Sequence, residues 1–104
     1  MLTHIWSMSF TDATTDEQRE AFVSAMAELP SKISGVESFH SGIDLGLNPG
    51  NSDVVIVAEF ADKDAWLAYI EAPAHVAFVS DHVTPLCASW GAIQFDPSSD
   101  HTSV

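Results

Sequence analysis

Residues 54–60 read VVIVAEF, an apolar run in which both alternating sets of positions are hydrophobic. Rich in β-branched residues and too short for a helix that crosses a domain, the run is a strand. Side chains alternate across a strand, so Val54, Ile56, Ala58 and Phe60 point to one face while Val55 and Val57 point to the other. A sheet with one face in water alternates apolar with polar groups. This strand therefore predicts a sheet covered on both faces, and the rest of the chain must supply the covers.

In LTHIWSMSF, residues 2–10, the large groups His4, Trp6, Met8 and Phe10 alternate with Ile5, Ser7 and Ser9, the two-residue period of a first strand. The stretch TTDEQREAFVSAMAELPSKI carries a capping pattern at Thr15 and Gln18, followed by Phe22, Met26, Leu29 and Ile33 at helical spacing. That is an amphipathic helix, which Pro30 and Gly35 are expected to break near its end. A second strand is expected in VESFHSGIDL, and the loop NPGNS returns the chain to VVIVAEF as an antiparallel hairpin. Asp62 can cap a short helix through Trp66, Tyr69 and Ile70, and Pro73 suits the first turn of a further helical segment, PAHVAFVSDHVTPL. Cys87 to Asp96 completes the set as a last strand. We expect residues 1–97 to form one domain and residues 98–104 a polar, frayed tail.

The order strand, helix, strand, strand, helix, strand predicts an α+β fold of ferredoxin-like βαββαβ type, a four-stranded antiparallel sheet with both helices on one face. Two helices cover one face only. The simplest cover for the other is the same sheet of a second copy, which also enlarges the buried fraction of a small domain. A homodimer follows from the pattern alone.

With 46% hydrophobic and 17% charged residues, the 104-residue chain is too apolar to be disordered. It contains no apolar run near the roughly 20 residues that span a bilayer, so no membrane association is expected. Fifteen acidic residues oppose three basic ones, Arg19, Lys32 and Lys63, and the net charge of -12 repels phosphate backbones and anionic lipid. Nucleic acid is excluded as a partner on this ground. The protein should retain no double-stranded DNA in a filter or mobility assay at near-physiological salt; salt-dependent micromolar binding would contradict the charge argument. A lone cysteine, Cys87, forms no disulfide within the chain, and MLTHIWSMSF lacks the basic segment and cleavage site of a signal peptide, which makes the cytoplasm the expected compartment.

Chemistry concentrates in YIEAPAHVAF, where Tyr69 and His75 stand six positions apart around a proline. If Pro73 opens a helix, His75 lies in its first turn, where the helix dipole disfavours the imidazolium and leaves a base. The surrounding negative charge pushes the other way. A phenol such as Tyr69 can donate a hydrogen bond to a carbonyl as it becomes an enolate, so the two side chains suit proton abstraction beside a carbonyl. The candidate lining for a small hydrophobic or aromatic ligand comprises His4, Trp6 and Met8 from the first strand, Ile56 and Ala58 from the third, Phe22 and Met26 from the first helix, and Phe78. The competing reading is that Tyr69 and His75 are two packed aromatics. His75 and His82 are two helical turns apart, too far to share one metal without an intervening ligand, and Phe78 fills that place. No metal site is expected. Cys87 has no neighbouring cation and reads as a packed thiol. Gly42, Gly46 and Gly50 do not join a strand to a helix, so no nucleotide cofactor is implied.

Several of these features together resemble the stress-responsive A/B barrel domain family, also called Dabb: His4 opening the first strand, the helix end LPSKISGVESF, the turn GIDLG, VVIVAEF, the signature YIEAPAHVAFV and the closing FD. The resemblance covers most of the chain and implies a dimeric α/β barrel, two ferredoxin-like protomers with facing sheets. It also implies site residues. In the plant polyketide cyclase of the family that makes olivetolic acid, the catalytic tyrosine and histidine fall on Tyr69 and His75, and a first-strand histidine falls on His4. Trp6 and Met26 depart from that enzyme, where a smaller aliphatic residue and a tyrosine stand, which implies a different or smaller ligand. Some members hold a cation on backbone carbonyls that would be those of Pro30, Ile33 and Val36. Three functions fit the resemblance: cofactor-free binding or conversion of a small organic molecule, a non-catalytic stress or stability role, and a cofactor-independent monooxygenase.

Overall fold

The computed structural model describes residues 1–102. Its elements are β1 Leu2–Phe10, α1 Asp16–Lys32, β2 Ser38–Ile43, β3 Val54–Phe60, α2 Lys63–Glu71, α3 Pro73–Phe78 and β4 Cys87–Phe95. Between α3 and β4 the helix continues through a π-helical turn, Val79–Val83, and one α turn, Thr84–Leu86. The four strands form one antiparallel sheet in the order β2-β3-β1-β4. This is the α+β, ferredoxin-like architecture expected from the sequence. Among the described residues no helix is long and apolar enough to cross a membrane.

Local chemistry sets the element ends. Thr15 and Gln18 form the full capping box of α1, with the Gln18 amide donating to the Thr15 hydroxyl at 3.2 Å and the Thr15 amide donating to the Gln18 side chain at 2.9 Å. Asp62 caps α2 by accepting from the Ala65 amide at 2.9 Å. Pro30 does not break α1, contrary to expectation; the helix runs through it to Lys32. The proline lies in the last turn, so its missing N–H removes a single bond near the end of the ladder. Gly35 then takes the left-handed conformation, with φ of 85°. Asp53 ties the hairpin to β1: its carboxylate accepts from the Phe10 amide at 2.8 Å and its own amide donates to the Met8 carbonyl at 2.9 Å. The tail begins as a 3-10 turn, Pro97–Ser99, capped by Asp96, and residues 103 and 104 lie outside the described residues.

The core lies between the helices and the inward face of the sheet. Trp6, Met8 and Phe10 of β1 and Val54, Ile56, Ala58 and Phe60 of β3 meet Phe22, Met26 and Leu29 of α1, Tyr69 of α2 and Phe78 of α3. Val55 and Val57 lie half-buried on the opposite face. There the register aligns His40, Val57, Ile5 and Ile93 in one row across all four strands. Ile93 is 59% exposed and Phe95, on the same face, 46% exposed. Strand β4 departs from its neighbours: every residue after Cys87 is exposed, including the inward-facing Trp90 and Ala92.

Candidate functional site

His4 enters from β1, paired in register with Ala58 on one side and Gln94 on the other, and its side chain lies on the helix side of the sheet. Trp66 of α2 donates its indole N–H to His4 Nδ1 at 3.3 Å, and the Gln94 side-chain nitrogen lies 2.9 Å from the same atom. One helical turn after Trp66, Tyr69 is wholly buried, with its ring 6.2 Å from His4 and 5.1 Å from Phe60. Pro73 starts α3 and sets His75 in its first turn. The His75 ring meets Tyr69 edge-on at a centroid distance of 4.8 Å and lies 5.8 Å from Trp6. Trp6 then packs on Phe78, Phe78 on Phe22 and Phe22 on Phe10. The two candidate catalytic rings and His4 thus form one end of a continuous aromatic file.

Three polar atoms in this cluster are buried without a hydrogen-bond partner: His4 Nε2, Tyr69 Oη and His75 Nε2. Each such atom costs about 1–3 kcal/mol of unrecovered solvation. Buried polar groups are almost always paired with protein or ordered water, so three atoms left unpaired by protein set this cluster apart within the core.

The cluster is neutral at pH 7. Burial, reinforced by the neighbouring His75, pulls His4 down to about 4. His75 is also lowered by burial, partly offset by a backbone hydrogen bond to Ile70. Burial pushes the Tyr69 phenol up to about 12. The sequence set helix dipole against net charge for His75; desolvation, visible only in the packed fold, decides the direction.

The remaining candidate lining residues are Met8, Phe22, Met26, Ile56 and Ala58, all with no exposed surface, which packs them as a solid wall beneath the cluster. A surface concavity of about 450 Å³, lined by Ile70, His75, Val76, Val79, Ser80 and Thr84, reaches His75. Tyr69 does not line it. His82 packs at the core edge beside Phe22 and Phe78, 6.2 and 5.7 Å away. Cys87 is a buried thiol raised to about 11 by burial and by Asp53. Sequence reasoning missed Trp66 and Gln94 as partners of His4. The i, i+3 spacing of Trp66 and Tyr69 was a signal for the first; the second required the β1–β4 register.

The Stress responsive A/B Barrel Domain family matches residues 2–97. A stress-response A/B barrel domain-containing protein of Arabidopsis thaliana is 30% identical over 79 residues, covering 74% of this chain and 72% of the relative. A dimeric ferredoxin-like protein from Thermobifida fusca superimposes with a TM-score of 0.82 at 33% identity, covering 90% of this chain and 88% of the other. The hydroxynitrile lyase of Passiflora edulis has the same fold, with a TM-score of 0.79 at 14% identity and 90% of both chains covered. With the βαββαβ order, the four-stranded sheet and a family match spanning residues 2–97, the chain belongs to the stress-responsive A/B barrel domain family.

Proposed function

We propose that the protein is a homodimer that binds a small neutral organic molecule at the His4, Tyr69 and His75 cluster and converts it by acid–base chemistry without a cofactor. The observation that carries this reading is the set of three unpartnered buried polar atoms in one aromatic cluster. No cationic group accompanies them, so a carboxylate or phosphate would find no countercharge, whereas a carbonyl or hydroxyl finds both donors and acceptors. In a proton abstraction the substrate C–H bond breaks, its proton passes to His75 Nε2, and the electron pair moves onto the carbonyl oxygen. Tyr69 Oη donates a hydrogen bond to that oxygen as it gains charge. The ligand reaches the cluster past His75, from the concavity beside it. Dimerisation is supported by the apolar outward row through Val57, Ile5 and Ile93 and by the Thermobifida fusca relative, itself described as dimeric.

A non-catalytic stability role is the second reading, favoured by the complete burial of Tyr69 and of the aliphatic wall. Ligand-observed NMR with small ketones and phenols separates the two. In the first reading the native protein binds and Tyr69→Phe weakens binding about threefold to tenfold, the share of one hydrogen bond, without loss of stability. His75→Ala then keeps the fold and loses turnover. No binding by native protein, with His75→Ala acting only by lowering stability, leaves the second reading.

A further inference from the structure

We infer that Trp66 and Gln94 are positioning residues that hold His4 with its proton on Nε2, so that His4 offers a fixed donor beside Tyr69. An indole N–H only donates, so the His4 Nδ1 that receives it from Trp66 carries no proton. Gln94, with its amide nitrogen 2.9 Å from the same atom, supplies a second donor. A neutral imidazole with a bare Nδ1 has its hydrogen on Nε2, and Nε2 is the His4 atom left buried and unpartnered.

His75, whose ring lies 4.8 Å from that of Tyr69, also leaves its Nε2 buried and without a partner. The His4 ring lies 6.2 Å from the same tyrosine ring, with its tautomer fixed from the Nδ1 side. This tautomer selects a ligand that presents an acceptor toward His4. That selection rests on the binding reading above; the tautomer itself is a property of the free protein.

The experiment is two-bond 1H–15N correlation of ¹⁵N-histidine-labelled protein at pH 7. The expected pattern has the His4 proton on Nε2. A His4 proton on Nδ1, or a tautomerically averaged His4 ring, overturns the inference. Gln94 is exposed, so Gln94→Glu can be made without disturbing the core, and it sets an acceptor against Nδ1 in place of a donor. A proton appearing on Nδ1 in part of the population is expected; an unchanged spectrum removes Gln94 from the role. In the Trp66→Phe, Gln94→Leu double variant, amide spectra report the fold. Loss of the single tautomer is expected, and its retention in folded protein overturns the positioning role. These spectra need no ligand, so failure to find one leaves them intact, and an averaged His4 leaves the binding reading standing.

Discussion

Val57→Asp should leave no dimer at protein concentrations where the native protein is wholly dimeric. Val57 sits in the outward row His40, Val57, Ile5, Ile93, two strands from the edge that β4 makes and next to the nearer edge, β2. On an isolated protomer that position is half-open, and a carboxylate there would cost little. Under a second sheet it becomes a charge without a partner, worth several kcal/mol in the general case. A two-fold interface repeats the change on both copies, so the two aspartates also repel each other. Sedimentation equilibrium reads the outcome as a fall to 11.2 kDa, or as unfolded chain if the protomer needs its partner. A native protein that already sediments at 11.2 kDa, or a Val57→Asp protein that remains dimeric, would remove the outward face as the interface.

Acid should destabilise the fold between about pH 6.5 and pH 4, through His4 above all. The sign follows from where protons bind. Unfolded, His4 titrates near 6.5; folded, it is held at about 4, so between these values the unfolded chain carries more protons. Stability is full above the upper value and declines as pH falls toward the lower. His4 is 3% exposed, which leaves little solvent screening, and the contribution is on the order of 3 kcal/mol. His75, also lowered, adds in the same direction. The net charge of -12 acts oppositely, because approaching the isoelectric point near 4.3 relieves self-repulsion. A comparison with His4→Gln separates the two. Urea midpoints at one fixed protomer concentration should fall further for the native protein than for His4→Gln between pH 7.5 and pH 4.5. Equal losses would refute a role for His4.

The strands and helices were legible because their signals are local. Alternation marked β1, the Thr15 and Gln18 pair marked the start of α1, and Asp62 marked α2, each within a few residues of the chain. Apolar residues on both faces of β3 likewise showed in seven letters. Pro30 misled because a proline's effect depends on how many helical bonds lie beyond it, and here only the last turn did. At the site, the sequence offered Tyr69, His75 and His4 separately, the family resemblance joined them, and the fold brings their rings within 6.2 Å along the file. The protonation of His75 was not legible, because desolvation depends on what encloses the ring and that enclosure comes from Trp6 and Tyr69 on other elements. Gln94 was invisible for the same reason: it lies 90 residues from His4 and is brought there by strand pairing alone.

The π-helical turn at Val79–Val83 bears on how the chain tolerates a change of length. Phe78 and Val83 both face the core although they are five positions apart, a spacing that an α-helix would rotate about 140° out of line. The wider turn, closed by the Thr84 amide on the Val79 carbonyl, absorbs that surplus residue. Removing Ser80, which is exposed, would bring the two to a spacing of four, the ordinary same-face interval of an α-helix. A deletion within a helix usually swings everything beyond it by a quarter-turn or more; here it would cancel an excess. Leu86 and the entry to β4 would then keep their places, and the chain one residue shorter would fold.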